Sequence, residues 1–102
     1  MEYRLSDWDK IGTQFSHMFS GLGDVVLTED SLSFTSTGPV VATGIALTKE
    51  GGLVANMPLH SIDSSFERVV FDENFESVRL VGPLFDYTYS IPSEILKLRD
   101  LT

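Results

Sequence analysis

Short strand-like runs separated by turn residues fill the middle and late parts of this chain, and in several of them hydrophobic and polar residues alternate. Between Asp24 and Ile91, about seven short runs rich in β-branched and aromatic residues are separated by turn-forming residues. The alternation is clearest in the last run, where the apolar or aromatic positions are Phe85, Tyr87, Tyr89 and Ile91. One face of such a strand must lie against a core, so the pattern predicts an antiparallel sheet.

Turn chemistry joins the predicted strands into hairpins. We expect chain reversals at residues 29–30, 49–52, 72–74 and 82–83. Gly51 and Gly52 accept the positive φ that a tight reversal needs, and Asn74 tolerates the left-handed backbone conformation. The hairpin around residues 49–52 carries the strongest local signal.

An amphipathic helix is predicted ahead of the first strand. Ser6 is placed as its N-cap with Asp9 in the first turn, and Gly21 and Gly23 supply the stop. The residues that share one face at helical spacing are Trp8, Ile11, Phe15, Met18, Phe19 and Leu22. We expect this stripe to pack on the core; the alternative is a partner or membrane surface, although the polar face lacks the basic residues of an interfacial membrane helix.

A second, short helix is expected near residues 93–101, with Ser93 as its cap and Glu94 at its N-terminal end. A chain of 102 residues has room for a single domain, residues 1–102. The predicted fold is mainly β (α+β): an antiparallel seven-stranded roll or barrel with an N-terminal amphipathic helix and a short C-terminal helix. The alternative is an α+β layer in which both helices cover one face of an open sheet.

The net charge narrows the classes of partner. The chain carries 15 acidic and 7 basic residues, a formal charge of −8, and no stretch clusters Lys or Arg. Nucleic acids and anionic membranes are therefore not expected as partners. The acidic composition suits a high-salt cytoplasm as well as an ordinary acidic domain. Because residues 1–10 lack a secretory pattern and the chain has no cysteine, we expect a cytoplasmic protein.

The sequence shows no recognised motif for catalysis, for a metal or for a cofactor. The two histidines, His17 and His60, stand in different predicted elements without the spacing of metal ligands. The acidic residues at 72–76 lack the spacing of a calcium loop, which favours a solvated hairpin tip, and the glycine pairs complete no phosphate loop. We therefore expect no catalytic residues, no metal, no cofactor and a protein that is not an enzyme.

Two short apolar sequence segments lie at the ends of predicted strands. They are Leu27-Thr28-x-x-x-Leu32-x-Phe34, where one strand turns into the next, and Met57-Pro58-Leu59-x-x-Ile62, which precedes a crossover. Together with seven strands followed by a helix, they resemble the pleckstrin-homology-like superfamily, including its small prokaryotic and GRAM forms, at the level of pattern over residues 25–100. The chain departs from the family pattern in its helix ahead of the first strand and in the shortness of its C-terminal helix.

The resemblance bears on function through the first hairpin. Lipid-binding members of the family hold phosphoinositide headgroups with basic residues there, whereas the matching turn in this chain is Thr28-Glu29-Asp30-Ser31. Carboxylates at that turn would repel a phosphate. The resemblance therefore implies a protein-interaction or scaffold module.

Three functions stay open at this point. The first is a non-enzymatic module that binds another protein, or a second copy of itself, through an exposed sheet edge or an apolar groove. The second is a small-molecule carrier or sensor with an apolar pocket between the N-terminal helix and the sheet, and the third is an enzyme whose site follows no recognised motif. Aromatic side chains anchor interfaces, so the candidate partner or pocket residues are Trp8, Phe15, Phe19, Tyr87 and Tyr89. For all five residues the alternative is a place in the core.

Overall fold

The computed structural model describes residues 1–37, 43–55 and 66–101. Within these residues the strands are β1 (Glu2–Arg4), β2 (Gly23–Leu27), β3 (Ser31–Ser36), β4 (Gly44–Thr48), β5 (Leu53–Ala55), β6 (Arg68–Phe71), β7 (Ser77–Gly82) and β8 (Phe85–Ser90). The helices are α1 (Trp8–Phe19) and α2 (Ser93–Leu96), with 3₁₀ turns at Leu5–Asp7 and Lys97–Leu101. The sequence segment from Met57 to Ile62, which includes His60, lies outside the described residues.

The described strands form two four-stranded antiparallel sheets. Sheet A has the strand order β1-β6-β7-β8, and sheet B has the order β2-β3-β4-β5. The prediction of a mainly β fold with an N-terminal helix and a short C-terminal helix is thus confirmed. The single seven-stranded roll or barrel is not confirmed, because among the described strands those of sheet A pair only with one another, as do those of sheet B.

Strand β1 is not among the predicted strands. Its sequence, EYR, has two charged residues around one half-buried ring, so it carries no hydrophobic period of its own. Tyr3 of β1 lies opposite Val69 of β6, and just after the strand the Leu5 N–H donates to the Glu67 carbonyl at 3.1 Å. A strand with so little local signal forms because a distant segment supplies its ladder.

The expected hairpins form at each of the predicted reversals, joining β2 to β3, β4 to β5, β6 to β7 and β7 to β8. In the β4–β5 turn Gly51 has a φ of 95°, which a tight reversal requires. In the β6–β7 turn the left-handed residue is Phe75, with a φ of 54°, and not Asn74. The Phe75 ring packs edge-on against His17 at a centroid distance of 4.9 Å, and such packing compensates for the strained backbone.

Helix α1 lays its apolar face on the core, as its spacing predicts. Its buried residues are Trp8, Ile11, Phe15, Met18 and Phe19. The prediction of Ser6 as N-cap is wrong: a 3₁₀ turn precedes the helix, and Asp7 holds the cap position without a side-chain hydrogen bond. Gly21, with a φ of 77°, follows the helix and turns the chain toward β2.

The core takes side chains from α1, from both sheets and from α2 in one continuous cluster. Phe19 stacks on Phe34 of sheet B with ring centroids 4.2 Å apart, and its ring lies 6.1 Å from that of Tyr89 in sheet A. Helix α1 therefore packs against both sheets. At the C-terminal end, Pro92 and not Ser93 holds the cap position of α2, and the chain continues as a 3₁₀ turn.

Candidate binding surface beside strand β2

An open groove with a volume of about 420 Å³ lies between α1 and the β2–β3 hairpin. We call it the α1–β2 groove. Helix α1 lines one side and the hairpin lines the other; the residues are Trp8, Asp9, Gly12, Thr13 and Ser16 on the helix and Leu27, Thr28, Glu29 and Leu32 on the hairpin. The volume lies in the range of roughly 300–1,000 Å³ that is typical of ligand sites.

The floor of the groove is apolar. Trp8 is 6% exposed and Leu32 is buried, while Leu27, directly opposite Leu32 in the β2–β3 ladder, keeps 48% of its surface exposed. Opposite residues of a ladder share a face, so Leu27 lies on the same side of sheet B as the core but at the margin that α1 leaves open. Gly12 faces this margin without a side chain: a Cβ there would lie 3.6 Å from Leu32 Cδ2.

The rim of the groove is acidic. Asp9 on the helix and Glu29 on the hairpin are both exposed, and the described residues that line the groove include no Lys or Arg. Carboxylates on both sides of an apolar floor favour an occupant that is apolar in the middle and cationic toward its ends.

Hydrogen bonds hold the hairpin wall of the groove in shape. The Ser31 N–H donates to the Thr28 hydroxyl oxygen at 2.9 Å. The side-chain hydroxyl oxygens of Thr28 and Ser31 are also 2.9 Å apart and share a hydrogen bond. The Lys49 N–H in the β4–β5 turn donates to the Asp30 carbonyl at 2.8 Å. The β2–β3 turn is therefore held both by its own side chains and by the β4–β5 turn, and a ligand would not have to order it on binding.

Backbone groups of β2 also face away from the sheet. The Thr28 N–H donates to the Ser31 carbonyl at 2.8 Å, which makes this pair hydrogen-bonded. In the antiparallel register that follows, Leu27 and Val25 occupy the alternate positions that are not hydrogen-bonded to β3. Their N–H and C=O groups point toward the outer edge of sheet B, where β2 is the terminal strand among those that the structure describes.

The β2 edge is less protected than two other sheet edges in the described part of the chain. Val26 and Leu27 are adjacent on β2 and are 54% and 48% exposed. By contrast, β1 has only three residues, and Arg68 of its neighbour reaches its Glu2 at 3.4 Å. Short strands and charges protect an edge against pairing, and β2 has neither device along Val25 to Leu27.

A charged pair joins Arg79 of β7 to Asp86 of β8 on the solvent face of sheet A. The Arg79 Nε donates to the Asp86 Oδ1 at 2.8 Å. This hydrogen bond lowers the pKa of Asp86 below its ordinary value of 3.8, and the same contact raises the pKa of Arg79. The solvent face of sheet A beside its β8 edge therefore carries charged side chains, whereas Val26 on the solvent face of β2 is apolar and exposed.

The structure distributes the five candidate residues over different environments. Phe15, Phe19 and Tyr89 are buried in the core, and Phe19 lies within 4.7 Å of Phe15 by ring centroids. Tyr87 is half-buried on β8, where its ring stacks with that of Phe85. Of the five, Trp8 alone lines the α1–β2 groove.

Sequence reasoning identified the acidic turn that contains Glu29 but missed Val26 and Leu27 as surface residues. One signal could have found them: Val25, Val26 and Leu27 are three consecutive apolar residues in a strand. Because successive side chains point to opposite faces, such a strand presents apolar groups on both faces, including the face that does not meet the core.

The described residues show neither a metal-binding cluster nor a membrane-spanning helix. No group of three or more His, Asp or Glu side chains is placed to hold a metal ion in the described part of the chain. Among the same residues, no helix has the length and apolar character needed to cross a bilayer. Comparison with protein-family models, curated proteins and solved structures finds no match to this chain.

Proposed function

We propose that this chain is a non-enzymatic protein-interaction module that binds its partner along the free edge of β2 and in the α1–β2 groove. The observation that carries the proposal is the exposure of Val26 and Leu27 on β2, whose outer edge has no partner strand among the described residues and which lies beside a formed groove. Exposed apolar edges are the surfaces on which other chains add a strand.

The burial of these two side chains alone cannot supply the binding free energy of a stable complex. Full burial of a Val or Leu side chain stabilises by about 1.5–3 kcal/mol, so covering the exposed halves of Val26 and Leu27 supplies about 1 kcal/mol each. A micromolar complex needs about 8 kcal/mol. Backbone hydrogen bonds along β2 and contacts in the groove have to supply the difference, which favours an extended partner over a single anchoring residue.

We also propose that the fold belongs with the pleckstrin-homology-like superfamily. In support, the described strands β2 to β8 number seven and α2 follows them, with β1 and α1 as additions ahead of this unit. The acidic turn Thr28-Glu29-Asp30-Ser31 forms one wall of the groove. Where lipid-binding members use basic residues, this wall presents carboxylates, so we propose a protein partner in place of a phosphoinositide.

A small-molecule carrier is the second candidate, because the groove has the volume of a ligand site. Its mouth is open and its rim carries Asp9 and Glu29, so a fully apolar ligand would remain partly in contact with water. The two candidates differ in their use of the backbone: a carrier needs the groove alone, whereas a protein partner also uses the N–H and C=O groups of Val25 and Leu27.

A display selection tests the interaction function directly. Random extended heptapeptides are selected on the wild-type protein and then compared on Leu27→Asp and on Leu84→Asp, a matched control at a 98% exposed hairpin tip. We expect enriched sequences that bind the wild type and Leu84→Asp but lose binding to Leu27→Asp. Failure to enrich any sequence, or equal binding to both variants, would contradict the proposal.

A further inference from the structure

We infer that the partner of this surface is an extended cationic segment that adds to β2 as a fifth strand of sheet B. Its central apolar side chain lies on the floor of the α1–β2 groove, and a Lys or Arg two residues away on each side reaches the acidic rim. This inference rests on the proposed function and specifies the chemistry of the partner.

Strand addition follows from the backbone of β2. The N–H and C=O groups of Val25 and Leu27 point to the free edge and make no hydrogen bond within the described residues. Neighbouring strands in a sheet lie about 4.8 Å apart, so a segment at that distance meets these groups in register. The exposed Val26 then gains a cross-strand neighbour on the outer face of the sheet.

The two-residue period of a strand decides which side chains enter the groove. Leu27 lies on the groove side of sheet B, so every second residue of an added strand lies on that side as well. The middle one of three such residues meets Leu27 and the indole of Trp8. The other two, about 7 Å away along the strand on either side, project toward the rim.

The charges select cations at those two positions. Asp9 and Glu29 lie on opposite sides of the groove and are both exposed, and no Lys or Arg stands among its described lining residues to neutralise them. A formal charge of −8 adds a long-range attraction for a basic segment. The negative charge also disfavours a second copy as the occupant. Pairing through β2 would bring Asp24, Glu29 and Asp30 of two molecules together, and their carboxylates would repel one another.

The fluorescence of Trp8 can report binding at this surface. It is the one tryptophan of the chain, it lines the groove, and its indole N–H donates no hydrogen bond within the described residues. A buried indole N–H ordinarily has an acceptor, and an added strand brings carbonyl oxygens to the groove. Binding should therefore change the fluorescence of Trp8.

The probe is the peptide acetyl-TKTLTKT-amide, which contains no aromatic residue and places Lys, Leu and Lys on one face of a strand. Its charge-reversed control is acetyl-TETLTET-amide. We expect the first peptide to change Trp8 fluorescence in a saturable manner and the second to leave it unchanged. Raising the ionic strength from about 0.01 M to about 1 M shortens the Debye length from about 30 Å to about 3 Å and should weaken the binding.

Matched protein variants locate the charges. Glu29→Lys should weaken binding of the lysine peptide by about fivefold or more, and Asp9→Lys should act similarly. Glu73→Lys makes the same change in charge at the exposed β6–β7 turn and should leave the affinity within about twofold. All three positions are exposed, so circular dichroism should show the same folded protein.

Backbone methylation tests the strand. In an added strand the backbone N–H groups of alternate residues point toward β2. One peptide is therefore N-methylated at the two Lys and the Leu, and a second at the two Thr that flank the Leu; the two peptides must differ in affinity. Loss of binding with one set and retention with the other supports strand addition. Equal effects of both sets would overturn it.

The remaining outcomes separate this inference from the proposed function. If the lysine peptide fails to bind at millimolar concentration, or the glutamate peptide binds as well, the cationic segment is rejected. If the display selection still returns Leu27-dependent sequences, the interaction function stands without it. Self-association of the wild type that is lost in Leu27→Asp, measured by light scattering, would identify a second copy as the occupant and would also reject the cationic segment.

Discussion

The hydroxyl oxygens of Thr43 and Tyr89 lie 2.6 Å apart and form a hydrogen bond between the two halves of the molecule. Tyr89 is a buried residue of β8 in sheet A, and Thr43 directly precedes β4 in sheet B. Thr43 is itself fixed, since its N–H donates to the Ser36 hydroxyl at 2.9 Å. The bond joins sheets whose described strands share no ladder.

Removing this hydrogen bond should lower stability measurably. Tyr89→Phe keeps the ring in the core but deprives the Thr43 hydroxyl of its partner, and we expect a loss of about 1 kcal/mol in the free energy of unfolding. Urea titration measures the change. Tyr87→Phe is the matched control: its hydroxyl makes no hydrogen bond in the described part of the chain, so a loss equal to that of Tyr89→Phe would contradict the assignment.

The same tyrosine should make the fold sensitive to alkali. Burial raises the pKa of Tyr89 above its ordinary value of 10.0, and the hydrogen bond with Thr43 opposes this only in part. Because the unfolded chain loses the phenolic proton first, the stability from this group is fully present below pH 10.0 and is lost as the pH rises through the folded-state pKa. Each unit of difference between the two pKa values corresponds to about 1.4 kcal/mol.

Urea titrations between neutral pH and strongly alkaline pH check this expectation. The wild type should lose stability above pH 10.0 more steeply than Tyr89→Phe, which lacks the titrating group. Spectrophotometric titration at the phenolate band should show one late step that disappears in the variant. Parallel stability curves for the two proteins would show that burial does not govern this group.

Local patterns predicted the elements that bury one face. The alternation of β8 and the helical spacing of α1 need no distant information, because each element has its own apolar side. Strand β1 and the exposure of Leu27 follow different causes: β1 depends on a ladder with β6, and Leu27 is uncovered only because α1 leaves the margin of sheet B open. Aromatic type marked Trp8 and Phe15 alike, although one lines the groove and the other is fully buried.

A methyl group at Gly12 should stabilise the protein. Gly12 lies inside α1, where Ala is preferred by about 1 kcal/mol, and a Cβ there would make an ordinary contact of 3.6 Å with Leu32 Cδ2. We expect Gly12→Ala to raise the free energy of unfolding by about 0.5–1 kcal/mol. Gly23→Ala is the contrasting variant, since its Cβ would clash with the Thr35 carbonyl oxygen.

Thermal and urea unfolding of the two glycine variants give the comparison. Gly23→Ala should be destabilised, because backbone must shift to admit the methyl group. If Gly12→Ala is also destabilised, the helix and sheet are packed more closely at the groove than the structure shows. Binding of the lysine peptide to Gly12→Ala provides a second measurement, because the added methyl group narrows the floor beside Leu32.

Arg99 connects the C-terminal 3₁₀ turn to the end of α1. Its guanidinium donates to the Met18 carbonyl at 2.7 Å and to the Phe75 carbonyl at 2.6 Å, and also to that of Asn74 at 3.2 Å. The last carbonyls of a helix have no partner within the helix, and a cation suits this end of its dipole. Arg99 therefore stabilises the C-terminal end of α1 and the strained turn at Phe75 together.

Replacing this side chain should cost more than replacing an exposed arginine. We expect Arg99→Met to lower the free energy of unfolding by about 2 kcal/mol, and Arg99→Lys to recover only part of that, because an ammonium group lacks the planar fork that reaches several carbonyls. Arg68→Met, which removes an exposed ion pair with Glu2, should cost less than about 1 kcal/mol. Urea unfolding ranks the three variants, and amide exchange in the last turn of α1 should accelerate in Arg99→Met but not in Arg68→Met. Equal losses for the two methionine variants would show that the carbonyls of Met18 and Phe75 are satisfied as well by water as by Arg99.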